Sequence, residues 1–450
     1  MCTTMAAQEH KHNHAEDSTD VFFRHLNLNE VTVTGVTGDT KLKHATTPVS
    51  IVTPQVLRST AATNIIDAIA HQPGISQLTT GGSISKPIIR GLGYNRVVVM
   101  SEGVRQEGQQ WGDEHGIEVD GNAVHSAEII KGPASLMYGS DALAGVIIFH
   151  PEAVPAAGVF TGGFSGEYQS NSGLATYSIH HGGNSGKVNW NIRFSDKYAH
   201  AYSNHVDGHV PGTQFREKAL TARIGLAPSW GSSKLTIGYY HLTPGMTEGY
   251  EDGVLEGSTG YGVELPFQQV HHYKAVWDNT IALGNGYLKA LAGYQQNRRQ
   301  EFEETVDEAE LDFKLHTLNY DLKYISGKRN GWKLSTGLGG MYQKSENLGD
   351  EVLIPAYRLF DIGLFGTATK SIGRFCFSGG LRADIRSLDS FFLEDKFNGF
   401  KRTYKGITGS LGVVYSPSEE INIRANVARG FRAPNLSELA ANGEIGRAHV

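Results

Sequence analysis

Histidines set beside carboxylates are the residues in this chain whose types and spacing could do chemistry. Between two glycine-rich segments lies Gln109-Gln110-Trp111-Gly112-Asp113-Glu114-His115-Gly116-Ile117-Glu118-Val119-Asp120. An imidazole nitrogen next to carboxylate oxygens suits Zn²⁺ or Cu²⁺ better than Mg²⁺ or Ca²⁺. Asp113, Glu114 and His115 are therefore candidate metal ligands, and the same three residues read equally as solvated loop positions. His10, His12 and His14 alternate in a short polar tract and form a second, weaker metal candidate. Farther on, Tyr240 to Asp252 reads as a strand ending in an acidic loop, and Gln269-Val270-His271-His272 opens the next strand. His241, Glu248, Glu251, His271 and His272 are candidate loop ligands on that pattern. No GxSxG, HExxH or P-loop motif occurs, so hydrolytic and nucleotide chemistry has no sequence support. We expect no enzyme and no tightly bound cofactor.

The elements that must hold these residues show in the texture of the chain. Gly is 55 of 450 residues, about 12% against a usual ~7%, and hydrophobic residues are only 39%. The longest apolar run is Ala142–Phe149, far short of the ~18 residues of a membrane-spanning helix. A net charge of −6 without a basic block argues against a nucleic-acid partner. Cys2 and Cys376 form neither a CxxC site nor a disulfide framework.

Residues 8–27 are polar and too poor in apolar surface to fold alone, so a flexible arm is expected there. From residue 28 to 152 the periodicity is mixed. Glu30-Val31-Thr32-Val33-Thr34 is short and β-branched, Thr63–Ala70 places Ile65, Ile66 and Ile69 on one helical face, and Arg96–Met100 and Ala127–Ile130 are strand-like. A compact α+β domain follows. From 153 to 443 two-residue alternation dominates. Val188, Trp190, Ile192 and Phe194 share one face against Asn189, Asn191 and Arg193, and the pattern recurs some thirteen times. Leu235, Ile237 and Tyr239, then Leu318, Tyr320, Leu322 and Tyr324, then Ile421, Ile423, Ala425 and Val427 repeat it. Long hairpins with aromatics on the apolar face suit the wall of a transmembrane antiparallel β-barrel, whose closure satisfies backbone groups that lipid cannot.

Three segments then carry a family likeness. Ile89-Arg90-Gly91-Leu92-Gly93-Tyr94-Asn95-Arg96-Val97 resembles the "IRG…NR" plug signature of the TonB-dependent outer-membrane receptors of Gram-negative bacteria. Glu128 to Gly139 resembles the "E-I-x-K-G-P-x-S-x-x-Y-G" signature of the same plug, with Lys131, Gly132, Pro133, Tyr138 and Gly139 at its marked positions. Phe431-Arg432-Ala433-Pro434-Asn435-Leu436-Ser437-Glu438-Leu439 resembles the family's barrel motif.

The resemblance implies an α+β plug inside the barrel, an outer-membrane location with the arm facing the periplasm, and active import of a scarce nutrient. It also implies that Glu30, Val31, Thr32, Val33 and Thr34 form the box that TonB, working with ExbB and ExbD, captures by strand addition. The glycines would allow close approach of plug to wall, and Arg90 and Lys131 are expected to pair with acidic wall residues. The loop carrying Asp113 to His115 is placed like the apical plug loop of the zinc- and copper-importing branch, so a divalent metal or its chelate is the expected cargo. A ferric siderophore, haem or cobalamin is the alternative within the family, and a passive barrel or adhesin is the alternative outside it. If the strand end and acidic loop lie on the outer side, His241, Glu248, Glu251, His271 and His272 would face the plug apex.

Plugged lumens belong to barrels of about 22 strands, so about thirteen strands lead us to expect a C-terminal truncation. Residues 1–7 are expected to be a signal-peptide remnant, because Thr4-Met5-Ala6-Ala7 resembles the tail of one. Residues 444–450 continue no strand and can be encoded by a common sequencing-adapter string, so a non-native tail is expected there.

Overall fold

The computed structural model describes residues 32–33, 40–112, 114–132, 135–247, 259–393, 397–418 and 421–440. Two bodies share this chain. The first runs through β1 (Thr32–Val33), β2 (Thr40–Lys41), β3 (Val49–Val52), α1 (Pro54–Ser59), α2 (Ile65–Ala70), β4 (Ile75–Thr79), β5 (Ser85–Ile89), β6 (Val97–Ser101), β7 (Val104–Arg105), β8 (Ser126–Lys131), α3 (Ser135–Tyr138) and β9 (Gly145–His150).

Its sheet has the order β3-β8-β9-β6-β7, parallel only between β6 and β9. Helix α2 begins at Ile65, inside the expected Thr63–Ala70 segment, because the Asn64 side chain accepts from the backbone N–H groups of Ile66 and Asp67 at 3.0 Å. That cap turns Ile65, Ile66 and Ile69 onto Val52, Val97, Ile129 and Phe149 in one core. Each such side chain removed from water contributes about 1.5–3 kcal/mol, so this body has a core of its own.

The second body is one sheet of thirteen strands. These are β10 (Phe160–Gln169), β11 (Leu174–Asn184), β12 (Val188–Ala199), β15 (Phe215–Leu226), β16 (Gly231–Pro244), β17 (Phe267–Leu283), β18 (Gly286–Phe302), β19 (Leu311–Ile325), β20 (Trp332–Asn347), β21 (Tyr357–Ile372), β22 (Phe375–Ser390), β23 (Phe400–Tyr415) and β24 (Ile423–Arg429). A small hairpin of β13 (Ser203–Asn204) and β14 (Gly208–His209) sits in one connection, and α4 (Leu436–Ala440) follows β24. All thirteen strands pair antiparallel with their sequence neighbours, as a meander. Connections at one end are short (185–187, 284–285, 373–374) and at the other long (200–214, 245–266, 303–310).

The sheet is inside out relative to a water-soluble fold. Its exposed residues are the apolar ones that alternation predicted: Phe164 is 72% exposed, Ile237 55%, Trp277 56% and Val427 79%. Its buried residues are polar, among them Ser195, Thr236, Gln268, Asn297, Arg299, Gln343 and Arg386. Aqueous burial would reverse both, whereas a wall with lipid outside and a polar interior requires both.

The first body fills that polar interior. Its glycines let it sit close: a Cβ on Gly139 (φ +78°) would lie 3.0 Å from the guanidinium of wall residue Arg382. In the reverse sense, a Cβ on wall residue Gly293 would come within 2.4 Å of Val104. At the short-turn end, Arg424 donates to the Ala45 carbonyl at 2.9 Å and Thr46 bonds Ser378 at 2.6 Å. The N-terminal entry to the plug therefore lies at the short-turn end, and the loop carrying His115 lies toward the long-loop end, beside Glu301 near the end of β18.

Candidate functional site

Residues 106–112 and 114–120 run along the inner wall between β7 and β8, and the polar side chains of β17 and β18 meet them there. Strand β18 turns Gln295, Asn297, Arg299 and Glu301 inward in succession, each buried. Strand β17 contributes Gln268 and His272, and the register Gln268↔Glu301 and His272↔Asn297 sets them side by side. The period-two geometry of two adjacent strands thus builds a polar surface facing one plug loop.

His115 is 1% exposed and its Nε2 lies 2.9 Å from Glu301 Oε1, which also accepts from Gln268 Nε2 at 2.9 Å. Gln268 Oε1 accepts from Arg299 Nη1 at 2.6 Å, and Arg299 Nη2 donates to Glu118 Oε1 at 2.7 Å. The other Glu118 oxygen is 3.6 Å from His272 Nδ1. His272 Nε2 meets Gln295 Oε1 at 3.2 Å, and Gln295 reaches back to the plug, donating to the Arg105 carbonyl at 2.9 Å. A polar chain, hydrogen-bonded except at the 3.6 Å contact between His272 and Glu118, therefore joins the plug loop to the wall and returns to the plug at β7.

Its electrostatics fix protonation. Burial, with the cations Arg299 and Lys86 beside it, holds the His115 imidazole well below its ordinary range. Neutral His115 donates its Nε2–H to Glu301, and its Nδ1 keeps a lone pair that is buried and has no hydrogen-bond partner among the described residues. A carboxylate on one nitrogen and a free lone pair on the other is how a metal-binding histidine is oriented. Burial pushes the Glu118 carboxyl up, but the neighbouring His272 and Arg299 outweigh it and leave it below the usual carboxylate range. Trp111 closes one side of the loop, packed edge-on to His115 at 6.0 Å and on Phe313 at 5.5 Å. Lys86 donates to the Gly112 carbonyl and holds the loop from below.

A second plug–wall junction lies deeper. Arg105 pairs with Glu107 at 2.9 Å and Asp141 at 3.0 Å, and Arg386 joins Asp141 at 2.9 Å to wall residue Asp361 at 2.6 Å. Burial raises the Asp141 carboxyl, yet Arg386 and Arg105 together hold it below the ordinary range. On the far side Glu102 meets Arg223 at 2.5 Å.

The residues singled out from sequence separate into groups. Glu114 and His115 share the loop described above, and both stand near the space a Cβ on Gly112 would fill. His272 joins the same network. His241 and His271 do not: they occupy outward positions, stacked on each other at 4.4 Å, with Tyr239 bonded to His271 at 3.1 Å. The expectation that the whole His271–His272 pair faces the plug is therefore corrected, because consecutive strand residues point to opposite faces.

Arg90 and Lys131 meet no acidic wall residue among the described ones. Lys131 donates instead to the Pro73 carbonyl at 2.6 Å, and Arg90 is exposed beside Gly132. Gly91 and Gly132 take positive φ values of 80° and 102°, and Tyr138 is packed against the core next to Val98 and Ile130. Thr32 and Val33 form β1, which pairs with Thr40 and Lys41 of β2. His10, His12, His14, Glu30, Val31, Thr34, Asp113, Pro133, Glu248 and Glu251 lie outside the described residues.

Among the described residues no group of three or more His, Cys, Asp or Glu side chains is arranged to hold a metal ion. Sequence reading missed Glu118, Arg299, Glu301 and Gln268. The available signal was the run Gln295-Gln296-Asn297-Arg298-Arg299-Gln300-Glu301, a strand segment with no apolar residue on either face.

Comparison with known proteins follows this geometry. The TonB-dependent receptor plug domain matches residues 41–146, and the TonB dependent receptor-like β-barrel matches residues 154–449. The chain is 22% identical over 412 residues to the vitamin B12 transporter BtuB of Photobacterium profundum, covering 88% of this chain and 61% of that protein. It thus spans under two thirds of that relative's length. Among solved structures, the FrpB iron transporter from Neisseria meningitidis superposes with a TM-score of 0.72 at 17% identity, over 90% of this chain and 68% of that one. The copper transporter OprC does so with a TM-score of 0.69 at 16% identity, over 84% and 61%. With a plug of its own core seated in an inside-out antiparallel wall, and both halves matched in order, this chain belongs to the TonB-dependent receptor family.

Proposed function

We propose that this chain is the plug and wall of an outer-membrane importer that binds a divalent metal, zinc or copper, carried in an anionic chelate. The observation that carries the cargo is the His115 Nδ1 lone pair, buried, without a hydrogen-bond partner among the described residues and oriented by Glu301. One protein donor is too few for a bare ion, and Arg299 and Lys86 beside it repel one. A metal arriving with its own ligands needs only one more donor, and a negatively charged chelate is attracted by the same two cations.

The direction of transport follows from the two ends of the wall. Short turns face the periplasm in barrels of this kind and long loops face outward, so the His115 loop lies toward the outer side and the N-terminal entry to the plug toward the periplasm. Glu30 to Thr34 is the segment TonB captures, with ExbB and ExbD supplying force from the inner membrane. β1 pairs with β2 along one edge, and strand addition uses its other edge. Ligand at His115 draws on Nδ1, and through the Nε2–H bond it biases Glu301 and the polar chain to β7. Occupancy outside is thereby felt along the plug.

The test is calorimetric titration of the detergent-folded chain with Zn²⁺ and Cu²⁺, each alone and as the citrate chelate. The chelates should bind more tightly than the free ions, and His115→Gln, which keeps a hydrogen bond to Glu301 but offers no imidazole, should weaken them at least tenfold. Unchanged affinity in His115→Gln removes the metal reading. For the import reading, deleting residues 30–34 should abolish binding of the TonB C-terminal domain and leave chelate binding intact; retained TonB binding overturns it.

A further inference from the structure

The import reading gives no part to the segment from Phe431 to Leu439, although its sequence takes it out of the wall and into the lumen. Strand β24 pairs with β23 as far as Arg429↔Gly409, and Pro434, with no N–H to give a ladder, cannot extend it. Phe431 lays its ring on the inner face of β23, where a Cβ on Gly406 would lie 2.3 Å from it. Asn435 and Glu438 then start α4 with a reciprocal cap. Asn435 Oδ1 accepts from the Glu438 N–H at 2.9 Å, and Glu438 Oε2 accepts from the Asn435 N–H at 3.1 Å.

Inside the wall this segment meets the plug directly at two places. The N–H of buried Ala433 donates to Ser140 Oγ at 3.1 Å, and Ser140 donates in turn to Asp141 Oδ1 at 2.8 Å. Asp141 is the carboxylate between Arg105 and Arg386. Glu438 reaches Arg96 at 3.8 Å, besides its bond to Arg432 at 2.6 Å. Buried Leu436 adds a third link, because it shares one apolar cluster with Trp111 of the plug loop.

That cluster departs from the rest of the lumen. Strands β17 and β18 turn polar side chains inward around His115, whereas β19 to β22 turn Phe313, Leu315, Met341, Leu359 and Leu388 into the same cluster, each buried. Apolar side chains facing a wet lumen need a cover. Besides Ile354 of a connecting loop, the cover comes from Trp111 and Leu436. Trp111 also stands edge-on to His115 at 6.0 Å. The imidazole is therefore held from two sides, by the polar network on one and by the apolar cluster that α4 completes on the other.

We propose that residues 431–440 form a clasp, with Leu436 and Glu438 as positioning residues that fix Trp111 and, through it, His115. The bond from Ala433 to Ser140 ties the same clasp to the Arg105–Asp141–Arg386 junction, so one wall segment holds both plug–wall junctions. An exposed pair such as Arg96–Glu438 contributes little; the cap is what keeps α4 wound and Leu436 in the cluster.

The test measures hydrogen exchange of residues 106–112 in the full chain folded in detergent, without ligand. Glu438→Ala removes the cap and should speed exchange about fivefold, and Glu438→Gln, which still accepts from the Asn435 N–H, should restore it. Leu436→Ala should speed it about 30-fold or more and Leu436→Met about tenfold at most, with β17 and β18 unchanged. In a Trp111→Ala background Leu436→Ala should add no more than about twofold, because both act through one cluster. Rates within about twofold of wild type in both single Ala variants at 436 and 438, or effects of Leu436→Ala and Trp111→Ala that multiply, overturn the proposal. The consequence for cargo rests on the metal reading above and is titrated with zinc citrate, which Leu436→Ala should bind at least about fivefold more weakly. If His115→Gln weakens the chelate and Leu436→Ala does not, the positioning role falls. If neither variant weakens it, the metal reading falls and exchange alone decides the clasp.

Discussion

Glu118→Ala breaks the plug–wall network where it is driest. Glu118 accepts from Arg299 at 2.7 Å, and the Arg299 side chain is 2% exposed. After the change Arg299 keeps only its bond to Gln268, since its Nε has no partner even in the intact network. An exposed pair would be worth at most about 1 kcal/mol, but removing one member of a buried pair leaves an uncompensated charge and costs about 3–5 kcal/mol. At ~1.4 kcal/mol per factor of ten, the lower figure is about a 150-fold rise in the undocked state of the loop. Hydrogen exchange on the detergent-folded chain reads this directly: amides of residues 106–119 should exchange about 100-fold faster or more, with β8 and β9 in the plug core unchanged. A double variant, Glu118→Ala with Arg299→Met, should recover most of the loss because no buried charge is left unpaired. Acceleration below about fivefold, or a double variant worse than the single one, refutes the reasoning, since a buried pair cannot be that cheap to break.

Three further outcomes follow. Because the folded-state pKa of His115 is depressed, the stabilisation it gives is complete above the unfolded value near 6.5 and is lost as pH falls below it. Loop docking should therefore weaken from pH 7 to pH 5, and His115→Gln should flatten that part of the profile when hydrogen exchange is repeated across the range. Asp141→Asn leaves Arg105 and Arg386 facing each other with one fewer charge between them; thermal melting should fall, with a loss of about 3 kcal/mol in plug docking. Gly139→Val meets the Arg382 guanidinium and a left-handed backbone at once, and should release the plug to limited proteolysis without unfolding the wall.

Local periodicity made most of the fold legible. Val188 to Phe194 announced an outward apolar face, and helix α2 was marked by three isoleucines, its Asn64 cap emerging only in the structure. The network around His115 was not legible as a set, because its partners are far apart in sequence: His115 and Glu301 are separated by 186 residues, and Glu118 and Arg299 by 181. Only the strand register brings Gln268, His272, Asn297, Arg299 and Glu301 together. The misplacement of His271 has a different cause. Adjacent strand residues alternate faces, so one member of the His271–His272 pair had to face lipid, and the phase set by outward Tyr273 and Trp277 identifies His271 as that member. Arg90 and Lys131 show the limit of motif transfer: the signature named them, but Lys131 uses a plug carbonyl, Pro73, rather than the wall.

Seating in lipid is the premise beneath every functional statement, and Ile237→Arg probes it most directly. Ile237 is 55% exposed in the middle of β16. Folding free energy should be measured by denaturant titration into lipid vesicles for wild type and variant. A lipid-facing wall predicts a loss of about 2–4 kcal/mol for Arg near the bilayer centre. A change within about 0.5 kcal/mol, as for an exposed position in water, would contradict the account.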